Sequence, residues 1–397
     1  MFLLKKCKVV VSFYGVRPHL LQFRRKIAST QEGFIRQIAT TIQWNARLIG
    51  IRGARGVGKT TLLLQHIKQT FAADLNPALY VSLDNLWFAE HSLLDLADTF
   101  VKKGGTHLFL DEVHKYPQWS QTIKNLYDDY PDLHIVFTGS SLLEILNARA
   151  DLSRRAVVYS MQGLSFREFL NIQTDHGDVE VVSQIKPFQH FATYLQTGYY
   201  PYFLEGLDVY PLRLEETVQM VLELELPLLC HVEIAYVHKL KQLLSIISES
   251  APFIPNISKL SERIGINRQT LLAYLHYLAE AKLIRSLYKD AHGVSALQKP
   301  DKLYLENTNL MYLFKGSHVD IGAVRETFLA NQLSYTHEIA FSESGDFLVD
   351  GRYTIEVGGR NKTRKQIQNV VDSYIAADSL EYGHDKKIPL WLFGFLS

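Results

Sequence analysis

Two rhythms of apolar residues alternate through residues 28–164. Short continuous apolar runs, the kind a strand buried on both faces needs, occur at "RLIGI" (Arg47 to Ile51), "ALYVSLD" (Ala78 to Asp84), "HLFLD" (His107 to Asp111) and "LHIVFTGSS" (Leu133 to Ser141). Between them the spacing becomes helical. "TTLLLQHIKQTF" (Thr60 to Phe71) is one such stretch, and Leu93, Leu96, Ala97, Phe100 and Val101 recur every three or four positions in another. Strands alternating with helices predict an α/β fold with a parallel sheet covered on both faces. Residues 165–235 turn to helical patterns rich in aromatic residues, which predicts a helical lid. Residues 236–315 hold two short helices that meet at a turn with Gly265 and Asn267. The second helix buries Leu271, Tyr274, Leu275, Leu278 and Ala279, and "LIRSLY" with a turn near Gly293 follows. That is the pattern of a winged helix-turn-helix. Residues 316–397 mix one helix with short alternating strands, a small α+β module.

The sharpest local signal sits between the first strand and the first helix. "GARGVGKT" (Gly53 to Thr60) fits the phosphate-loop spacing G-x-x-x-x-G-K-[ST]. Glycines at 56 and 58 let the chain curl until successive N–H groups face one anion. Lys59 adds charge at the β- and γ-phosphates, the Thr60 hydroxyl faces Mg²⁺, and the helix contributes its positive end. The predicted ATP-binding set is Gly53, Ala54, Arg55, Gly56, Val57, Gly58, Lys59, Thr60 and Thr61. Asp111 ends a strand where a Walker B acid holds the Mg²⁺ shell, so Thr60 and Asp111 are the predicted metal-side residues. The adjacent Glu112 is placed to polarise an attacking water, which favours hydrolysis over transfer to a small acceptor. Thr138 and Ser140 end the next strand as candidate γ-phosphate sensors, and a helix-cap role for Ser140 or Ser141 explains the hydroxyls equally well. Ser165 with Glu168 spells a capping box.

Composition narrows the class without adding chemistry. The 397 residues are 47% hydrophobic, and 42 basic against 41 acidic side chains give a formal charge of +1. No global field draws the chain to nucleic acid or an anionic membrane. Cys7 and Cys230 are the only cysteines, so neither a disulfide framework nor a zinc site is expected. No apolar run reaches the roughly 18 residues of a membrane span. Residues 1–27 read as an N-terminal extension. Its opening "MFLLKKCKVVVSFYGV" has too short an apolar run and no cleavage site for a signal peptide, and is taken as an edge strand or an overlong translation start. A cytoplasmic location follows as the expectation.

Together, "GARGVGKTTLL", "LFLDEVHKYPQW", "IVFTGSS", "LSFREFL" and "TGYYPYF" resemble the bacterial and archaeal AAA+ ATPases that join a P-loop domain to a winged helix and a C-terminal restriction-endonuclease-like domain of unknown function. The resemblance runs from about residue 25 to the end of the chain. It implies catalytic roles for Lys59, Glu112 (general base) and Ser140 (sensor). It also implies one for Arg155 as an arginine finger, although Arg154 stands where that family has glycine. A finger can be worth roughly 10³-fold or more in rate; the plainer alternative is a surface salt bridge. In the last module the resemblance implies a metal site from Glu326, Asp346 and Glu356. The lysine that should follow two residues after Glu356 is Gly358. Glycine cannot stabilise developing negative charge. Lys362 would reach back only if the chain bends at Gly358–Gly359. The site is therefore expected to be a remnant without nuclease activity.

Turn length decides whether those carboxylates meet. A two-residue loop at Asp350–Gly351 pairs Val349 with Arg352 and sends Asp346 and Glu356 to opposite faces. A three-residue loop pairs Val349 with Tyr353 and Phe347 with Ile355, and brings Asp346 opposite Glu356. The apolar alternation favours the second register. The expected whole is an ATP- and Mg²⁺-dependent ATPase that drives motion of its winged-helix and C-terminal modules. Homo-oligomerisation and an unidentified protein partner are compatible with it. DNA is the alternative partner, met by Arg268, Gln269 and Thr270 at the start of the second helix. The alternatives are an ATP-dependent DNA-binding regulator or defence component, and a nucleotide switch with little turnover.

Overall fold

The computed structural model describes residues 21–139, 152, 154–174, 187–230, 232–289 and 298–396. The chain divides into two compact units, Met1–Gln162 and Gly163–Ser397.

In the first unit the predicted strands are β1 (Leu48–Arg52), β2 (Ala78–Ser82), β3 (His107–Asp111) and β4 (His134–Gly139). Helices α1 (Lys59–Thr70), α2 (Leu93–Lys102) and α3 (Trp119–Asp129) fall between them. A fifth strand, β5 (Val157–Ser160), was not foreseen. It follows the stretch that carries Arg154 and Arg155, and its short "VVY" run with two exposed valines lacks the pattern of a buried strand. All pairs are parallel, in the order β2-β3-β4-β1-β5. The order leaves β1 between β4 and β5, so the loop after β1 opens at a switch in strand direction of travel, where α/β sheets take ligands. Helix α2 shows the local logic. The Ser92 side chain accepts from the N–H groups of Leu94 and Asp95, and Leu93, Leu96, Ala97 and Phe100 are buried. They join Leu79, Leu108, Leu110, Ile135 and Phe137 in the main core.

The second unit starts with α4 (Phe166–Thr174). Its capping box is formed as expected: Ser165 N–H donates to Glu168 Oε2 (3.0 Å) and Glu168 N–H to Ser165 Oγ (3.2 Å). Helices α5 (Pro187–Thr197), α6 (Tyr210–Met220) and α7 (Ile234–Ser250) follow. Next come α8 (Ile257–Ile264) and α9 (Arg268–Glu280). Gly265 sits at φ 71° after α8, and the Asn267 side chain caps α9 by accepting from Thr270 N–H at 2.8 Å. β6 (Ile284–Leu287) and β7 (Lys302–Leu305) form an antiparallel pair; the turn near Gly293 lies outside the described residues. After α10 (Thr308–Lys315) and α11 (Ile321–Leu333) comes a second five-stranded sheet. Its strands are β8 (Ile339–Phe341), β9 (Phe347–Val349), β10 (Tyr353–Gly358), β11 (Ser373–Ala377) and β12 (Lys387–Pro389), in the order β12-β11-β10-β9-β8.

One buried amide binds several of these segments. Asn309 Oδ1 accepts from Tyr199 N–H (2.8 Å) and the Tyr210 hydroxyl, while Nδ2 donates to the carbonyls of Tyr194 (3.0 Å) and Leu195 (2.9 Å). Both acceptor and both donor valences are used, the condition for burying an amide without loss. The segment expected as a lid is thus built into the second unit together with helix α10, which follows the helix pair.

Candidate functional site

The loop after β1 has the conformation its glycines predict. Gly56 (φ 82°) and Gly58 (φ 99°) are both in the left-handed region, which any side chain would strain. Lys59 opens α1 and is buried, and its ammonium donates to the carbonyls of Gly53 (2.9 Å) and Ala54 (2.8 Å). The lysine thereby closes the loop on itself and holds its charge at the helix mouth, where phosphate oxygens are favoured by the helix's end.

Asp111 is the centre of the site. It is buried and accepts hydrogen bonds from three hydroxyls on three elements. Thr60 Oγ1 reaches Oδ2 at 2.7 Å, the Tyr80 phenol reaches Oδ2 at 2.8 Å, and Thr138 Oγ1 reaches Oδ1. Burial, and then the neighbouring Asp111 charge, pushes the Tyr80 phenol well above its ordinary range, so it stays a proton donor. All three donors are neutral, so the carboxylate is oriented but its charge is not cancelled. Thr60 and Asp111 present hard oxygens 2.7 Å apart, a donor pair that fits Mg²⁺. Tyr80 was missed by sequence reading. Its signal was present as a lone hydroxylated aromatic in the apolar strand "ALYVS" that ends level with Asp111.

Glu112 has φ 54°, a conformation that costs a non-glycine residue about 1–2 kcal/mol. Its N–H donates to Thr138 Oγ1 at 3.3 Å, so one threonine hydroxyl joins the backbone of Glu112 to the carboxylate of Asp111. His114, likewise missed, brings Nε2 to 3.5 Å from Glu112 Oε2. Burial, then the charges of Lys115, Lys59 and Arg55, lowers its pKa to about 3. The contact is therefore between a carboxylate and a neutral imidazole.

Other predicted residues are dispersed. Ser140 lies outside the described residues. Arg155 makes a bidentate pair with Asp128 near the end of α3 (Nε–Oδ1 3.0 Å, Nη2–Oδ2 3.1 Å), partly exposed. Arg268 and Gln269 are exposed in the first turn of α9, and Thr270 is half-buried.

The C-terminal carboxylates come together in the second unit. Val349 pairs with Tyr353 and Phe347 with Ile355, the three-residue-loop register, so Asp346 lies opposite Glu356. Asp346 Oδ2 accepts from Val357 N–H (2.7 Å). The bend on which Lys362 depended is present. The site does have a lysine, because Lys362 Nζ lies 2.5 Å from Glu356 Oε1. A Cβ on Gly358 would fall 2.7–2.8 Å from the Cβ, Cγ and Cδ of Lys362, so the glycine makes room for the stem of the lysine that replaces it. A second ammonium, Lys302 on β7, sits 2.7 Å from Glu326 Oε2 and 3.9 Å from Asp346 Oδ1. The Tyr304 phenol also donates to Glu326 Oε2 (3.0 Å). Burial, then the Asp346 charge, raises the Glu326 pKa against the pull of Lys302. Among the described residues no three of His, Cys, Asp and Glu are gathered so as to hold a metal ion.

Residues 45–170 match the family model described as an AAA domain, and residues 188–317 match a domain of unknown function (DUF8612). No curated protein matches the chain. Among solved structures, a Walker-type ATPase of Pyrococcus abyssi aligns at 14% identity over 68% of this chain and 91% of its own, with a TM-score of 0.42. AMPPCP-bound DnaA from Aquifex aeolicus aligns at 15% identity over 62% of this chain and 86% of its own, with a TM-score of 0.25. Residues 45–170 are thus an AAA domain, with the phosphate-loop conformation after β1. Among the described residues no helix is long and apolar enough to cross a membrane.

Proposed function

We propose that the chain is an AAA+-type ATPase in which ATP binding and hydrolysis at the first unit drive motion of the modules in the second. One arrangement carries this reading: Lys59, Thr60 and Asp111 converge at the loop after β1, and Glu112 stands next to the metal-side acid. Mg²⁺ held from Thr60 and Asp111 would supply positive charge to the phosphates. Lys59 and the loop's N–H groups hold those phosphates, and Glu112 orients the water. The test is steady-state hydrolysis of ATP by the full chain and by Glu112→Gln. Equal turnover in both would refute the role of Glu112. Arg155 serves as a finger only when released from Asp128, an exposed pair worth about 0–1 kcal/mol. Mixing Arg155→Ala with Lys59→Ala protein should then restore activity if the finger acts across an oligomer interface, and unchanged turnover of Arg155→Ala alone would exclude it.

A second reading takes residues 257–305 as a winged helix that binds DNA. The exposure of Arg268 and Gln269 at the capped start of α9 favours it. Retention of duplex DNA should then fall steeply with salt and depend on Arg268. Retention that is indifferent to Arg268→Ala would leave the module a connector. The C-terminal carboxylates are read as a site without nuclease activity, now because Lys302 and Lys362 already pair with them rather than because a lysine is missing.

A further inference from the structure

A phosphate loop that turns its N–H groups toward an anion leaves its carbonyls in need of partners behind it. Val57 lies between the two left-handed glycines and is fully buried. Its carbonyl accepts from Arg36 Nη1 at 2.8 Å, and the same guanidinium donates through Nη2 to the carbonyl of Gln162 at 2.9 Å. Arg36 is itself buried at 7% exposure. A charge placed there is costly unless its donors are used.

Both ends of this bridge are meaningful. Gln162 is the last residue of the first unit. Just before it, Met161 N–H donates to Arg52 O, and a Cβ on Gly53 would lie 2.2 Å from Met161 O. The chain leaving the first unit therefore runs against the start of the phosphate loop directly, and is tied to its middle through Arg36. The base of Arg36 is fixed as well. Gln65 Nε2 on α1 donates to the carbonyls of Gln31 (2.9 Å) and Phe34 (2.7 Å), and Lys68 Nζ donates to Thr30 O (2.7 Å).

We infer that Arg36 is a positioning residue that holds the phosphate loop in its anion-binding form and links that form to the segment by which the chain passes into the second unit. The inference rests on the nucleotide-binding reading. Arg36 acts through the backbone of the loop. It fixes the Val57 peptide, and any shift of that peptide on nucleotide binding is felt at Gln162 through one rigid, planar group.

The test uses the full chain, titrated with Mg²⁺ and a fluorescent ADP analogue, with hydrogen exchange of residues 157–164 followed at saturation. Wild-type protein should bind and gain protection in that segment. Arg36→Ala should bind about tenfold more weakly, as expected for losing a charge-assisted hydrogen bond to the loop, and should gain little protection even at saturation. Arg36→Lys keeps the charge but cannot span both carbonyls. It should bind within a fewfold of wild type and still lose the protection, and it carries the test should Arg36→Ala fail to fold. Wild-type affinity with full protection in Arg36→Lys would overturn the inference. Failure of the wild-type chain to bind nucleotide would overturn the P-loop reading instead.

Discussion

Two carboxylate centres, one in each unit, are satisfied in opposite ways. Asp111 is held by three hydroxyls, from Thr60, Tyr80 and Thr138. Glu326, Asp346 and Glu356 are held largely by two ammoniums, Lys302 and Lys362. A neutral donor fixes a carboxylate's direction and leaves its charge available; an ammonium fixes it and cancels the charge. The first centre thus keeps the charge that the proposed Mg²⁺ role requires, whereas the second has its cations built into the chain. Two sets of acids thereby differ in the charge their partners leave them.

The largest effect should appear where the first centre is broken. Lys59→Ala should abolish measurable nucleotide binding, because the lysine both closes the loop and supplies ground-state charge. Glu112→Gln should retain ATP yet lose on the order of 10²–10⁴ in turnover, the usual worth of a positioned general base. Titration calorimetry beside phosphate release separates the two. Equal loss of affinity in both proteins would remove the distinction between binding and catalytic residues.

The second centre should respond in stability. Lys302→Met leaves Glu326 and Asp346 facing each other with only Lys362 nearby, and breaking a buried pair from one side costs roughly 3–5 kcal/mol. Partial exposure of Glu326 and Asp346 argues for the lower end. Denaturant unfolding should show most of that loss, and Lys302→Met with Glu326→Gln should recover part of it. A single variant as stable as wild type would mean that Lys302 is not the counter-ion of the cluster.

The first centre was more legible in the sequence than the second. A phosphate loop is local: eight consecutive residues dictate a backbone shape, and Asp111 announces itself at the end of an apolar strand. Tyr80 and His114 were not legible, because what matters is where β2 lies beside β3 and where a short turn returns the imidazole. In the second unit the hairpin register was readable from alternation, since a slip of one residue would turn Phe347 to the wrong face. Lys362 was legible only as a condition, because sequence spacing does not specify the bend at Gly358–Gly359 that brings it back. Lys302 was not legible, since it comes from another strand altogether. β5 was overlooked because it is short and has two exposed valines, which weakens the signal of a buried strand.

Acid should separate the units by a smaller margin. Burial, reinforced by His107, lowers the His66 pKa to about 4, and His114 is lowered to about 3. Both are bases with folded values below the ordinary one, so the unfolded chain binds their protons first. Their contribution to the first unit is fully present above about pH 6.5 and is lost as pH falls toward 4 and then 3. Glu326 and Asp346 have raised values, so the folded second unit takes their protons first and gains relative stability as pH falls through the carboxylate range. Between pH 7 and 4 the first unit should lose on the order of 2 kcal/mol relative to the second, after allowance for screening at half-buried His66. Hydrogen exchange resolved by segment would show the first unit opening earlier. Uniform opening across both units would count against the buried neutral imidazoles.

The smallest expected effect is none at all, and it bears most directly on the contrast between the centres. Lys362 gives the second centre the ammonium that Gly358 lacks, so the arrangement of an acid beside a lysine is present and its chemistry has to be judged on charge. Lys302 sits between Glu326 and Asp346, and Lys362 sits on Glu356. A divalent cation would have to displace one ammonium and meet the repulsion of the other, in a site where burial makes each charge count. Full-length protein with Mg²⁺ or Mn²⁺ should therefore leave single- and double-stranded DNA intact over hours, with or without ATP. Cleavage that vanishes in Glu356→Ala but persists in Lys59→Ala would show that the ammoniums yield to a metal and that the second centre is catalytic. Cleavage unaffected by Glu356→Ala would point to a contaminating nuclease and leave the charge argument standing.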